Sequence, residues 1–351
     1  MKINFYLPQV YMGIAGGYKV VYQYANYLVN NGHDVCIYYD LKDGRNSHHI
    51  PKLLTIILRK MMFIGYPRWF DLNENVKQKA VNHFDNKTIR DADISIATAP
   101  YTAYPVNELS ESKGEKYYFI QGYENWDGTS DEFLHKSYAL GMNNIVISEW
   151  LKNIVDKHAK KESIIIENGI DLNIFKLKNP IEQRNNHVVS MVYHDSYNKG
   201  CKYGIEALEK IKKMFPDTKA ILFGAPKRPK DLPEWIEYRR NANEQQVVDI
   251  LNESSVFMCT SLFEGFGLPG LESMACGCAL VTTKCQGPEE YANDNNSILC
   301  DIASTEDLFE AVKELFENEE KRVSVAATAY KNINKWSLSN REKQFEEFLN
   351  K

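Results

Sequence analysis

A chain of 351 residues exceeds what one hydrophobic core ordinarily supports, so two domains are expected. Hydrophobic residues make up 44% and charged residues 25%, the composition of a globular protein, and a formal net charge of −5 offers no general attraction to nucleic acid or anionic membrane. No run of about 18 apolar residues suggests a membrane-spanning helix, and the opening MKINFYLPQV lacks the long apolar core and cleavage site of a leader.

In chain order, residues 3–7 read as a short buried strand, followed by a turn bearing Gly13, Gly16 and Gly17. Val20, Val21, Tyr24, Ala25 and Leu28 then recur at helical spacing until Gly32, and 35–39 reads as the next strand. This β-loop-α-β unit opens a doubly wound sheet of parallel strands. Further strands are expected at 94–97, 117–120, 145–147 and 163–166. A second alternating series begins after Asn168-Gly169-Ile170-Asp171. Its strands are expected at 188–192, 220–223, 255–259 and 279–282, its helices at 203–215, 244–251, 269–275 and 305–316. The polar stretch 171–187 reads as the linker between the two series. The fold class is α/β: two Rossmann-like domains whose parallel sheets face each other across a cleft, with ligands at the carboxyl ends of the strands. Seven cysteines cannot all pair within the chain, and Cys276 and Cys278 are too close for the usual zinc-knuckle spacing. Reduced thiols and a cytoplasmic protein are the expectation.

The most informative stretch is Ser261-Leu-Phe-Glu264-Gly-Phe-Gly-Leu-Pro269-Gly-Leu-Glu272. It follows a β-type run and so occupies a strand-to-helix loop. Pro269 suits the first turn of a helix, where its missing N–H costs nothing. Gly265 and Gly267 free the backbone for close approach, and with Phe266 and Leu268 they lead into a helix N-terminus able to receive a diphosphate. Glu264 and Glu272 would repel phosphates if aimed at them. They fit better as acceptors for hydroxyl groups on either side, sugar at one end and ribose at the other. A helix start with an acidic first turn would have a similar sequence.

This segment resembles the E-x7-E motif of the retaining glycosyltransferases of family 4, in the form EGFGLPxLE. The similarity continues through Met274-Ala-Cys-Gly277, Gly287-Pro-Glu289 and Asn295 to Leu299. Upstream, Asn168-Gly169-Ile170-Asp171 with Phe175 is similar to the family's interdomain segment, Lys199-Gly200 resembles its phosphate-loop lysine, and Gly16-Gly17 its N-terminal loop. The resemblance implies a GT-B fold, with an acceptor-side domain over 1–170, a nucleotide-sugar-binding domain over 171–335 and a terminal helix over 336–351 returning to the first. It implies a nucleoside-diphosphate sugar as co-substrate, retention at the anomeric carbon, and no metal or other cofactor. By the same resemblance Glu264 touches sugar hydroxyls, the backbone after it the phosphates, and Glu272 the ribose, while Lys199 neutralises the departing diphosphate. Family members commonly place an Arg five or six residues before that lysine, where this chain has Tyr193 and His194. A neutral His194 donates a hydrogen bond but no permanent charge, and Lys202, Lys227 and Arg228 are alternatives.

Asp91-Ala-Asp93 imitates a metal-binding DxD but directly precedes an apolar strand, whose polar start it marks. After Gln121, the residues Glu124 and Trp126 are candidates for donor-sugar or acceptor contact; a similar segment occurs in some bacterial rhamnosyltransferases. Residues 51–70 combine many apolar side chains with Lys52, Arg59, Lys60 and Arg68. Such a stretch fits a core-packing helix, the preferred reading, or one lying on an anionic membrane surface. The expected function is transfer of a sugar to a glycan or lipid-linked acceptor in cell-surface polysaccharide assembly, with peripheral contact at the inner membrane surface an open option and no nucleic-acid partner. A catalytically silent subunit of the same fold that binds a partner enzyme is the alternative. A nicotinamide-dependent oxidoreductase is disfavoured, because Gly13, Gly16 and Gly17 do not form Gly-x-Gly-x-x-Gly.

Overall fold

The computed structural model describes residues 1–13, 15–41, 52–125 and 128–351. They form two units, one of Met1–Glu167 with Glu342–Lys351 and one of Asn168–Arg341.

The first unit contains β1 (Lys2–Leu7), α1 (Gly16–Asn30), β2 (Asp34–Asp40), α2 (Lys52–Met62), β3 (Lys77–Val81), β4 (Ile94–Ala97), α3 (Pro100–Asn107), β5 (Glu115–Ile120), α4 (Asp131–Tyr138), β6 (Asn143–Val146), α5 (Glu149–Val155) and β7 (Ile164–Ile165). Its strands form one seven-stranded sheet in the order β3-β2-β1-β4-β5-β6-β7. The second unit contains β8 (Val188–Val192), α6 (Cys201–Met214), β9 (Lys219–Gly224), β10 (Ile236–Arg240), α7 (Glu244–Glu253), β11 (Val256–Cys259), α8 (Leu268–Ala275), β12 (Ala279–Thr283), β13 (Ser297–Cys300), α9 (Thr305–Glu317) and α10 (Glu319–Lys331). Its sheet runs β10-β9-β8-β11-β12-β13. A last helix, α11 (Leu338–Leu349), ends the chain. Every strand pairing among the described residues is parallel. Central strands such as β4, β11 and β12 are buried throughout, as strands covered on both faces must be. No described helix is long and apolar enough to cross a membrane.

Strand order reverses between β1 and β4 in the first sheet and between β8 and β11 in the second. At such a point the loops leaving two neighbouring strands diverge and open a crevice at their carboxyl ends. Each unit therefore has one place where a ligand is expected.

Three strands fall outside the expected set: β3, β10 and β13, each at a sheet edge. An edge strand pairs on one side only and tolerates charge, so KQKAV and IEYRR carry no continuous apolar run. A second difference concerns residues 51–70, read above as core-packing. In α2 and the turn after it, Leu54, Ile57, Leu58, Met61 and Ile64 are exposed. The helix is held instead from its opposite side, where Arg59 donates to the Leu41 carbonyl at 3.0 Å and to Gln9 Oε1 at 2.9 Å.

The core of the first unit closes on the end of the chain. Phe345 of α11 is fully buried and stacks on Tyr24 with ring centroids 4.3 Å apart, with Phe5 and Phe119 around it. On the same helix Glu346 accepts from Asn31 at 2.7 Å and pairs with His33 at 2.8 Å. Phe345→Ala leaves a large cavity beside the central strands, so the unit should lose about 3–5 kcal/mol of stability. Urea unfolding followed by intrinsic fluorescence measures this, and a loss below about 1 kcal/mol would mean that α11 contributes little to that core.

Candidate active site in the second unit

The crevice between β8 and β11 is built from two strand-to-helix loops that touch. After β8 the chain makes a 3₁₀ turn over Tyr197–Lys199 and enters α6 through Gly200, which has a left-handed conformation (φ 58°, ψ 18°). A Cβ on Gly200 would lie 2.0 Å from the carbonyl oxygen of Thr260, the first residue after β11. Glycine is required twice over here, by backbone angle and by contact. Thr260 Oγ1 donates to the Lys199 carbonyl at 2.8 Å, and Leu262 N donates to the Asn198 carbonyl at 2.7 Å. These bonds staple the two loops together.

The staple brings two predicted residues into contact. Lys199 Nζ donates to Glu264 Oε1 at 2.6 Å, and Ser261 Oγ donates to the same oxygen at 2.7 Å. The Glu264 side chain is 14% exposed and that of Lys199 36%, so the acid is the more enclosed partner. Burial by itself would lower the pKa of Lys199, but the Glu264 carboxylate outweighs it and the net shift is upward. The lysine is thus held charged where its surroundings alone would disfavour charge.

The β11–α8 loop is shaped from beneath by a third loop, the one after β12. Glu264 N donates to the Cys285 carbonyl at 3.3 Å, and a Cβ on Gly287 would lie 2.6 Å from Phe266 N. Gln286, at the crest, has φ 76° and ψ −73°, a costly conformation for a residue with a side chain. Gly267 precedes α8 with φ 83°, and its carbonyl accepts from the Tyr291 hydroxyl at 2.5 Å. Phe266 is buried and packs with Tyr291 and Trp336, ring centroids 5.7 Å from each. Its side chain is an anchor, so what Phe266 and partly exposed Gly265 can offer a ligand is backbone. Pro269 stands in the first turn of α8, and partly exposed Glu272 lies one turn further along.

Other candidates lie elsewhere. Exposed His194 accepts from Ser196 N at 2.9 Å and lines a cavity of about 490 Å³ together with Tyr193 and Lys202; Lys199 and Glu264 are not part of that lining. Arg228 donates to the carbonyls of Leu232, Pro233 and Ile236 and serves its own loop. In the first unit, Gly17 and Gln121 meet: Gln121 Nε2 donates to the Gly17 carbonyl at 3.1 Å, while Gly16 has open space above it. Glu124 is partly buried on the loop after β5, and Trp126 is outside the described residues. Asp91 accepts from Lys113 at 2.8 Å, and Asp93 from the backbone of Lys2 at 2.6 Å. Both aspartates thus sit at the amino ends of β1 and β4, away from the crevice. Sequence reading passed over Ser261 and Gln286. A serine three residues before a carboxylate within one loop was the signal available for the first; nothing local announced the second.

Residues 174–332 match the family model described as glycosyl transferases group 1. An uncharacterized glycosyltransferase of Methanocaldococcus jannaschii is 28% identical over 187 residues, 51% of this chain and 50% of that protein. The N,N'-diacetylbacillosaminyl-diphospho-undecaprenol alpha-1,3-N-acetylgalactosaminyltransferase of Campylobacter jejuni is 32% identical over 84 residues, 24% of this chain and 22% of that protein. The chain thus spans half or less of the length of these curated relatives. Among solved structures, Anabaena HepE in complex with UDP superposes with a TM-score of 0.77 at 17% identity, covering 100% of both chains. Staphylococcus aureus TarM superposes with a TM-score of 0.76 at 13% identity, covering 100% of this chain and 99% of that one. The fold is GT-B, with one Rossmann-like parallel sheet in each unit.

Glu264→Gln removes the charge that outweighs burial at Lys199. Its pKa should then fall from above the ordinary 10.5 to below it. The stabilisation that the pair contributes is present below the unfolded-state pKa and is lost as pH rises through the folded one. NMR titration of isotopically dimethylated lysines reads the shift, and an unmoved Lys199 signal would mean that the pair does not form in solution.

Proposed function

On the match of residues 174–332 to the family model described as glycosyl transferases group 1, we propose that this protein is a retaining, metal-independent glycosyltransferase that moves a sugar from a nucleoside diphosphate to a glycan or lipid-linked acceptor in cell-surface polysaccharide assembly. The observation that carries this reading is the meeting of Lys199 and Glu264 at the carboxyl ends of β8 and β11, beside the start of α8. UDP is the first nucleotide to test, because Anabaena HepE was solved with UDP-glucose and with UDP. The Campylobacter relative, whose name specifies a diphospho-undecaprenol acceptor, supports the lipid-linked option.

In this reading the diphosphate lies against the first turn of α8, where backbone amides have no acceptor within the helix and the helix dipole favours negative charge. The bond from the anomeric carbon to the phosphate oxygen breaks, and its electron pair leaves with the nucleoside diphosphate. The acceptor hydroxyl oxygen bonds to the anomeric carbon on the same face, and its proton passes to the departing phosphate. Negative charge on that oxygen grows through the transition state. A fixed cation beside it stabilises the transition state more than the ground state, which is the role of Lys199. The incoming diphosphate brings Lys199 a second anion, so Glu264 is released to accept hydrogen bonds from the sugar. Ser261 keeps the carboxylate in place as that exchange occurs. Glu272, further along the helix, accepts from the ribose hydroxyls. The positive charge comes from Lys199 and the helix start, so no divalent ion is needed.

Release of free nucleotide from a panel of UDP, GDP, ADP and dTDP sugars, with and without EDTA, tests the reaction. Turnover of at least one donor, unchanged by EDTA and giving a product of unchanged anomeric configuration by NMR coupling, is expected. Dependence on added manganese or magnesium would remove the metal-independent reading, and an inverted product the retaining one.

Two substitutions separate the roles. Lys199→Ala should lower kcat far more than it raises KM; a pure rise in KM would make Lys199 a ground-state binding residue. Glu272→Ala should weaken free nucleoside diphosphate and intact donor alike, by about 1.5–3 kcal/mol for hydrogen bonds to a charged group. Calorimetry on both ligands measures this, and unchanged affinity for the free nucleotide would remove Glu272 from the ribose.

A further inference from the structure

The first unit carries an apolar face that no function has yet absorbed. At about 100° per residue, Leu54, Ile57, Leu58 and Met61 fall within a stripe about 100° wide on α2, and Ile64 follows in the next turn. Their exposures are 47%, 46%, 42%, 63% and 71%. Single exposed apolar residues need no explanation, but a continuous row of five does. The row is held outward: on the opposite side Arg59 is bonded to Leu41 and Gln9, and Phe63 packs 5.5 Å from Tyr39.

The described residues of this segment are basic: 52–70 contain Lys52, Arg59, Lys60 and Arg68 and no carboxylate before Asp71, in a chain whose formal net charge is −5. Exposed Lys60 and Arg68 stand beside the apolar row.

We infer that this face docks on a lipid bilayer surface bearing anionic headgroups, with α2 lying in the interface plane. The inference gives the proposed lipid-linked acceptor a location, and in that respect it rests on the function proposed above; the surface argument itself needs no transfer reaction. An amphipathic helix lies in the interface with its apolar side chains among the acyl chains and its cations at headgroup level. Cations near an anionic surface add to the apolar contribution, each worth about fivefold in partition, and salt screens them. A second copy of the chain is a poor occupant, since a self-complementary contact would bring Lys60 and Arg68 towards their own equivalents.

The experiment is co-sedimentation of the full chain with vesicles of phosphatidylcholine alone and of phosphatidylcholine mixed with phosphatidylglycerol. Binding to the mixed vesicles should exceed binding to the neutral ones by about tenfold or more and weaken as salt is raised. Ile57→Asp with Met61→Asp should abolish it, and Lys60→Glu with Arg68→Glu should remove the preference for phosphatidylglycerol; all four positions are at the surface, and thermal melting checks that both variants fold. Absence of sedimentation, equal binding to both vesicles, or binding unchanged in either variant would overturn the inference. A wild-type dimer, dispersed by Ile57→Asp with Met61→Asp and indifferent to vesicles, would overturn it in favour of a second copy. No donor or acceptor is present in the assay. A chain that sediments but turns over no nucleotide sugar defeats only the transfer reading, and an active chain that ignores the vesicles defeats only this one.

Discussion

The site in the second unit depends on one close approach, the backbone of Gly200 against the carbonyl oxygen of Thr260. Two loops leaving neighbouring parallel strands normally diverge at a switch point, one towards each face of the sheet. Here a Cβ on Gly200 would come within 2.0 Å of the Thr260 oxygen, so only glycine lets the β8–α6 loop lie directly on the β11–α8 loop. The bonds from Thr260 Oγ1 and Leu262 N then hold the contact. Everything chemical follows from that staple, because it sets how far Lys199 stands from Glu264. Any side chain at position 200 would push the loops apart and separate the pair.

The geometry is supported from behind by packing. Phe266, Tyr291 and Trp336 form a ring cluster under the start of α8. At the other end of that helix, Arg184 donates to the carbonyls of Cys276, Leu251 and Ser254. A short helix fixed at both ends presents its first turn to a ligand in one orientation. Charge stabilisation of this kind is effective when donors and cations need not reorganise as the bond breaks. The strained backbone of Gln286 belongs to the same arrangement. Its conformation costs free energy locally and persists because the Glu264 strand segment, the Cys285 carbonyl and the Glu289 carboxylate all hold it.

Much of this was legible before folding was considered. The alternation of apolar runs with amphipathic stretches located ten of the thirteen strands among the described residues, and the glycine and proline positions located the start of α8. The three strands that were missed are edge strands, where one free side and a polar surface erase the apolar signature. The candidate residues Glu264, Glu272, Lys199 and the Gly265–Pro269 backbone came from one contiguous motif and one lysine. Their grouping reflects a real neighbourhood for Lys199 and Glu264. His194 followed the same kind of reasoning but faces a different cavity, because two residues five apart in a loop need not point the same way.

Residue type and local period determined the strands, the helix starts, the two-unit α/β class and the identity of the charged groups, since these depend on neighbours within a few positions. Folding alone decided that Lys199 and Glu264, 65 residues apart, share a hydrogen bond, and that Ser261 completes it. It also decided that the apolar row of α2 faces outward while Arg59 turns in. A periodic pattern says that a helix has an apolar face; what covers that face is contributed by segments remote in the chain, and so burial is settled only when they arrive.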